Sequence, residues 1–487
     1  MARPSPAVEH LLRRAGFGAL PDEGTKFARM TLPVAAASLV NFDPSKTDVD
    51  GLIGTPGYVG ITTRGVFAPN TNITDARQRW LFRMVHSPAP LQEKMTLFWH
   101  HHFATAYSKI NGTVGAVDAT RMMATKKKDD STGMRGQIEL LRDYALGNFR
   151  DLLVDIAKDP AMLYWLDGRQ NVKGQPQENF GRELMELFTF GVENYVETDV
   201  YAAARVFTGW NLRVTGTNGT PSANYAFLYN SAQHDTNAKD FSFPIYANGS
   251  KRIEARAAAA GMQDGLDLIA ALAIHPETAK RLARRLWTWF VSETETPPAG
   301  WVDNIAQTYL KNDTNMKPVV RAVLLSSEFL GSGSHYHRYA WPVEFVVRTL
   351  KEVGRVGFSV DTALTPLVNM GQQLFEPPDV NGWELGAGWF STGGMLARMN
   401  YAATLATNQR FELRTQAQAA GAGATPESLL DFVLARLSLP TPVPEVRTAL
   451  LNYVNAGGTW TGSDTQLLNK TGGLFHLLTG SGDYQLV

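Results

Sequence analysis

The chain of 487 residues contains no cysteine. It therefore has no disulfide bonds, no zinc–cysteine sites, no iron–sulfur clusters and no cysteine nucleophile. It also lacks an excess of either charge, because 46 lysine and arginine residues balance 46 aspartate and glutamate residues. Since nucleic-acid-binding surfaces usually carry a basic excess, we expect no nucleic-acid partner.

Long apolar segments are also missing. No stretch approaches the roughly 18 apolar residues that a membrane-spanning helix needs, so the sequence predicts no transmembrane segment. Residues 1–14 are rich in polar and charged side chains and hold no apolar core of a signal peptide. We therefore expect a cytoplasmic location; the alternative is export to the periplasm together with a signal-bearing partner.

Apolar residues recur at helical spacing along most of the chain. This pattern predicts a mainly α fold, a multi-helix array or bundle. Residues 43–73 are rich in glycine and proline and predict an irregular loop, whereas residues 211–252 contain short alternating runs typical of a β-hairpin insert. We predict a main helical domain over residues 1–410 and a C-terminal helical cap over residues 411–487.

Three adjacent histidines, His100, His101 and His102, lie near the end of a predicted amphipathic helix. Neutral imidazole is the commonest metal ligand in proteins, and we predict that His100 and His102 bind a metal ion. Their side chains would point about 200° apart on a straight helix, so sharing one metal requires the helix to unwind. The alternative is a helix C-terminus, where histidine interacts favourably with the helix dipole.

Glu178, Arg182, Glu183 and Glu186 lie on another predicted helix, where Arg182 is spaced to pair with Glu178 and Glu186. Such groups are expensive to bury unless they are paired, metal-bound or functional. We predict that all four are catalytic and that Glu183 and Glu186 join the histidines as metal ligands. The cofactor would be a divalent or redox metal ion of unknown identity. The alternative is a buried salt-bridge network.

Three further residues are candidates for catalysis: Arg205, His234 and Asp235. Arg205 follows a helix start that Thr198 can cap, and the favoured alternative is a capped helix with a stacked tryptophan and no catalytic role. In the His234–Asp235 pair, the aspartate could orient the histidine as a base.

Two other segments carry polar or rigid features. Arg281, Arg284 and Arg285 lie on a helix with tryptophans, and we expect their aliphatic stems to pack there while their charged ends reach water. The segment Pro377–Trp383 contains two adjacent prolines and predicts a rigid turn that walls a pocket.

Together these motifs resemble the bacterial family catalogued as domain of unknown function 1800. The matching segments are His10–Gly18, Glu93–Phe103, Arg142–Leu153, Asp159–Leu163, Glu178–Gly191, Asp199–Trp210, His234–Asp235 and Pro377–Trp383. Members are often encoded beside a protein with a sulfatase-like fold and an export signal, so the resemblance implies such a partner. The family often has histidine where this chain has Phe188.

Two functions follow from these observations. The first is a metal-dependent enzyme, a hydrolase or an oxidoreductase, with a His/Glu site in the helical core. The second is a non-catalytic binding or assembly protein that acts with the exported sulfatase-like partner at the cell envelope. In that case Tyr225, Phe227 and Tyr229 of the hairpin insert would be exposed contact residues.

Overall fold

Helices account for most of residues 3–487, the part of the chain that the computed structural model describes. That part contains 24 α-helices, one π-helical turn and four short strands. Their apolar sides share one continuous core, which extends from Val8 to Val487. The predicted mainly α fold with a small β-hairpin insert is therefore confirmed. No helix within residues 3–487 has the length and hydrophobicity that crossing a bilayer requires.

Twelve α-helices precede the strands and twelve follow them. The first twelve are α1 (Pro6–Gly16), α2 (Pro21–Phe27), α3 (Leu32–Val40), α4 (Ile73–His86), α5 (Pro90–His102), α6 (Tyr107–Val114), α7 (Ala116–Ala124), α8 (Gln137–Asp143), α9 (Phe149–Lys158), α10 (Pro160–Trp165), α11 (Asn179–Glu183) and α12 (Glu197–Val206). The π-helical turn, Leu184–Phe188, directly continues α11. The other twelve are α13 (Met262–Ala273), α14 (Pro276–Phe290), α15 (Ala299–Lys311), α16 (Met316–Leu324), α17 (Ser327–Leu330), α18 (Pro342–Glu352), α19 (Asp361–Asn369), α20 (Thr392–Asn408), α21 (Arg410–Ala419), α22 (Pro426–Arg436), α23 (Pro444–Asn455) and α24 (Asp464–Thr479).

Helix α5 lies at the centre of the fold, and all of its residues are buried. The prediction of an amphipathic helix is therefore wrong, because its polar residues are buried instead of facing water, and its two charged residues are paired. Glu93 accepts a hydrogen bond from Arg142 at 2.7 Å. Lys94 forms an ion pair with Glu344, which also accepts from Arg338. Buried charges are tolerated only with such partners.

The hairpin insert consists of β1 (Trp210–Thr215) and β2 (Asn224–Tyr229), which pair antiparallel with Trp210 opposite Tyr229. A second, smaller pair is formed by β3 (Lys239–Asp240) and β4 (Arg252–Ile253). The predicted irregular loop over residues 43–73 contains only two short 3-10 turns before α4 begins.

The last helices pack on one another and on the rest of the molecule. Helix α24 contacts both α20 and α21. The final residues return to the main body, where Ala340 N donates to Gln485 O at 2.9 Å and Val487 N donates to Arg338 O at 2.8 Å. A division into domains at residue 410 stays a prediction, and it coincides with the break between α20 and α21.

Candidate functional site

A cavity of about 300 Å³ lies where three of the sequence motifs meet. Its walls come from α5, the π-helical turn, α14 and the segment that follows Pro377–Pro378. We call it the histidine–arginine cavity after its polar lining residues, which are His101, His102, Arg281, Arg285, Thr288 and Asn381.

The protein fixes the proton positions of the two histidines. His101 Nδ1 accepts a hydrogen bond from Trp383 N at 3.1 Å, so the neutral ring carries its proton on Nε2. His102 Nε2 lies 3.0 Å from Phe188 O, so this ring is protonated on Nε2 and its buried Nδ1 has no partner. Burial, and then the charge of Arg285, lowers the pKa of both imidazoles well below its usual value. Both rings are therefore neutral at pH 7.

Arg281 and Arg285 bring positive charge to the cavity without a matching carboxylate. Arg281 Nη2 donates a long hydrogen bond of 3.3 Å to Leu187 O, and its buried Nε has no partner. Burial, and then the charge of Arg281, lowers the pKa of Arg285 to about 9. The charge of Glu186 acts on Arg281, but the two residues form no ion pair. Two such cations are costly unless an anion joins them.

The π-helical turn places two carbonyl groups against these residues. Leu187 O faces Arg281, and Phe188 O faces His102. A π-helical turn has wider hydrogen-bond spacing than an α-helix and is frequent at functional sites. Thr189 ends the turn by donating from Oγ1 to Leu184 O at 2.6 Å.

The segment Pro377–Trp383 lines the cavity with Asn381 and Trp383, so the prediction that it walls a pocket is confirmed. Gly382 makes the close approach to α5 possible. Its φ of 90° is strained for other residues, and a Cβ atom there would lie 2.6 Å from His101 O. Phe98 and Trp289 form further apolar walls.

The structure does not bring the four predicted metal ligands together. Within residues 3–487, no three His, Asp or Glu side chains converge as a metal site requires. Helix α5 stays α-helical through His102, so His100 points elsewhere, into an enclosure of Trp80, Phe375 and Trp383. Both ring nitrogens of His100 lack a partner, and burial lowers its pKa to about 3.

Glu183 and Glu186, the other two predicted ligands, do not line the cavity. Burial, and then the charge of Glu186, raises the pKa of Glu183 to about 7. Glu186 accepts a hydrogen bond from the Tyr195 hydroxyl. It does not pair with Arg182 as the sequence spacing predicts, because the π-helical turn rotates it away from the α-helical row.

Glu178 and Arg182 form an ion pair at the surface. Arg182 Nη2 lies 3.4 Å from Glu178 Oε2, and Nη1 donates to Glu197 at 3.1 Å. All three side chains are at least one-third exposed. These contacts resemble the predicted salt-bridge alternative, although they are exposed and not buried.

Arg205, His234 and Asp235 lie in a separate network beside the hairpin. Arg205 donates to both carboxylate oxygens of Asp235, at 2.8 and 3.2 Å. Burial by itself would raise the pKa of Asp235, but the hydrogen bonds from Arg205 outweigh it and lower that pKa to about 2. His234 Nδ1 donates to Thr208 O at 2.8 Å, and Nε2 lies 3.3 Å from Asp264. Neither of these contacts involves Asp235. Lys239 also pairs with Asp264, at 2.5 Å.

The hairpin aromatics are not an exposed contact surface. Tyr225 is 2% exposed, and its hydroxyl donates to Asp118 at 2.7 Å. Tyr229 donates to Ala258 O, and Phe227 packs against Trp210. The expectation that these three side chains are exposed is therefore wrong, because Tyr225 is buried and Phe227 and Tyr229 are half-buried.

Sequence reasoning missed His101, Arg281 and Arg285 as site residues. We expected the charged ends of Arg281 and Arg285 to reach water at the protein surface, but both side chains line the cavity. The available signal was their spacing of four residues on α14, with no acidic residue one turn away from Arg285. Glu277 lies one turn before Arg281, but it pairs with Lys280.

Comparison with known proteins identifies a family. No curated protein and no protein of solved structure shows a significant match to this chain. A family model does match, and it covers residues 10–486, nearly the whole sequence. The chain thus belongs to the family described as protein of unknown function (DUF1800).

Proposed function

We propose that the protein is an enzyme that acts on a small anionic substrate in the histidine–arginine cavity. The observation that carries this proposal is the pair of guanidinium groups, Arg281 and Arg285, which face a cavity without a carboxylate partner. Unpaired charges in a cleft are a signature of functional sites. A carboxylate or phosphate group of the substrate would supply the missing negative charge.

Two neutral imidazoles beside the arginines support a chemical role. His101 offers an Nε2–H donor to a substrate oxygen, and His102 has an unpartnered Nδ1 that can accept a proton. The charges of Arg285 and Arg281 help to depress the pKa of His102. A bound anion would offset those charges and raise that pKa, so the base becomes effective when substrate is present.

Proton transfer at a bound anion suits hydrolysis, one of the two reaction classes that the sequence predicts. These steps use only residues of this chain. The divalent or redox metal ion, the sulfatase-like partner and the cytoplasmic location stay predictions from sequence. An assembly function has less support, because Tyr225 is buried and Phe227 and Tyr229 are half-buried against the core.

Anion binding can be measured by calorimetry with inorganic phosphate and with acetate. We expect the double variant Arg281→Gln/Arg285→Gln to bind roughly tenfold or more weakly, since a charged hydrogen bond contributes about 1.5–3 kcal/mol. Arg284→Gln is the matched control, because Arg284 is exposed on the same helix. Equal affinity in the double variant and the control would refute the anion site.

Turnover is tested separately with anionic chromogenic esters such as 4-nitrophenyl phosphate. We expect His102→Gln to lose turnover while it still binds phosphate. If His102→Gln hydrolyses the ester as fast as the wild type does, the proposed role of His102 is wrong. If the wild type binds phosphate but cleaves no member of an ester panel, the cavity is a binding site only and the enzyme proposal fails.

A further inference from the structure

A second cavity, of about 290 Å³, lies where the first two helices meet the C-terminal helices. It shares no lining residue with the histidine–arginine cavity. Its apolar walls include Leu12 on α1, Leu20 before α2, and Phe432 and Ala435 on α22. We call it the junction cavity. Its volume is near the lower end of the roughly 300–1,000 Å³ typical of small-molecule sites.

Arg13 lines the junction cavity and is only 2% exposed. Its one hydrogen bond within residues 3–487 runs from Nη1 to Ser438 O at 3.1 Å. Its Nε has no partner, and its guanidinium lies 4.3 Å from the centre of the Tyr336 ring. A backbone carbonyl and an aromatic face stabilise the cation, but neither neutralises it. The charges of Glu352 and Glu9 also act on Arg13, but neither acid forms an ion pair with it.

Arg436, at the end of α22, is a second incompletely paired cation in the lining. Its Nη2 donates a weak hydrogen bond of 3.4 Å to Lys351 O, and its buried Nε has no partner. Burial lowers its pKa to about 10, so it stays charged at pH 7. Both guanidinium groups therefore retain unused donor capacity.

The only acid among the lining residues is already paired. Glu9 accepts hydrogen bonds from Arg3 Nε at 2.5 Å and from Arg3 Nη2 at 3.0 Å. The lining therefore contains three arginines and one glutamate, which gives a net charge of +2. Positive charge next to an apolar wall is complementary to a molecule with one anionic group and an apolar body.

We propose that the junction cavity binds a small amphipathic carboxylate, with the carboxylate at Arg13 and Arg436 and the apolar part against Leu12 and Phe432. Such a ligand contacts α1 and α22 at once. It would therefore hold the C-terminal helices against the first helix, and its binding would raise the stability of the folded protein. This proposal is independent of the chemistry at the histidine–arginine cavity.

Three probes separate charge from apolar contact: octanoate, octanol and acetate. Calorimetry on the full chain should show saturable binding of octanoate, and both octanol and acetate should bind at least tenfold more weakly. Equal binding of octanol would show that the carboxylate is not recognised and would overturn the proposal. Equal binding of acetate would overturn the apolar part of it.

Two variants test the location. Arg436→Gln should weaken octanoate binding roughly tenfold, with the exposed Arg410→Gln as its control. Gly24→Leu should block binding, since Gly24 lines the cavity and a Cβ there meets no atom within 4 Å. Gly300→Leu is its matched control, because Gly300 is also helical, open and distant. Octanoate binding that survives both Arg436→Gln and Gly24→Leu would place the ligand elsewhere and refute the site.

Discussion

His102 Nε2 lies 3.0 Å from the carbonyl oxygen of Phe188, and this contact joins α5 to the π-helical turn. The contact also determines the tautomer of His102, because the ring must carry its proton on Nε2 to donate. The contact uses a backbone oxygen, so the orientation of His102 does not depend on which side chain occupies position 188.

Replacement of Gly382 should distort the cavity wall. Gly382→Ala places a Cβ 2.6 Å from His101 O at a φ of 90°, so we expect a loss of about 2 kcal/mol or more in the free energy of unfolding. Gly386→Ala is the matched control, because its φ is 68° but its nearest neighbour is 4.0 Å away. Urea unfolding measures both. Equal losses would mean that the contact with His101 is unimportant.

Burial of His100 makes stability depend on pH. Its folded pKa is about 3, whereas the unfolded ring has the model value of 6.5. Between pH 3 and pH 6.5 the unfolded state therefore binds a proton that the folded state does not. The free energy of unfolding is at its full value above pH 6.5, and it decreases as the pH falls towards 3. His100→Gln should reduce the slope of the free energy of unfolding against pH by up to about 1.4 kcal/mol per pH unit.

Denaturant unfolding between pH 4 and pH 7 measures this slope. His337→Gln serves as the control, because His337 is exposed. The comparison of slopes is unaffected by any constant loss of stability in the variant. An unchanged slope in His100→Gln would contradict the assignment.

Removal of one acid from the buried charge cluster should be strongly destabilising. Glu344 pairs with Lys94 and Arg338, and all three side chains are at most 1% exposed. Glu344→Gln leaves two buried cations short of a partner, and we expect a loss of about 3–5 kcal/mol. The exposed Glu295→Gln should change stability by less than about 0.5 kcal/mol. Similar midpoints for the two variants in urea would show that the cluster contributes little.

The separation of the predicted metal ligands has a direct consequence. His100 lies among aromatic rings, whereas Glu183 lies on α11 and is half-buried. We therefore expect that His100→Gln and Glu183→Gln leave the metal content of the purified protein as it is in the wild type. Elemental analysis checks this. Stoichiometric metal in the wild type that both variants lose would restore the predicted site.

The fold was largely predictable from sequence because helical periodicity and Gly/Pro-rich breaks are local signals. Periodicity predicted the helices, and alternating residues predicted the hairpin that pairs Trp210 with Tyr229. The two prolines before Asp379 predicted the pocket wall for the same reason. These features depend on neighbours in the chain and need no tertiary information.

The site was less predictable because its parts come from distant segments. Helix α5 is buried on every side, so no polar face showed that His101 and His102, and not His100, line the cavity. Arg285 lies more than 180 residues further along the chain. Likewise Asp235 is adjacent to His234 in sequence, but His234 contacts Thr208, 26 residues before it, and Asp264, 30 residues after it.

The π-helical turn depends on a single additional residue. A π-helical turn holds one residue more than an α-helical turn, so deletion of a single residue within Leu184–Phe188 would restore a regular α-helix. The shortened helix would shift the segment after the deletion by about 100°. The Phe188 carbonyl would then leave His102, and the cavity would lose one of its walls. The one additional residue in this segment is therefore what holds the Phe188 carbonyl at His102.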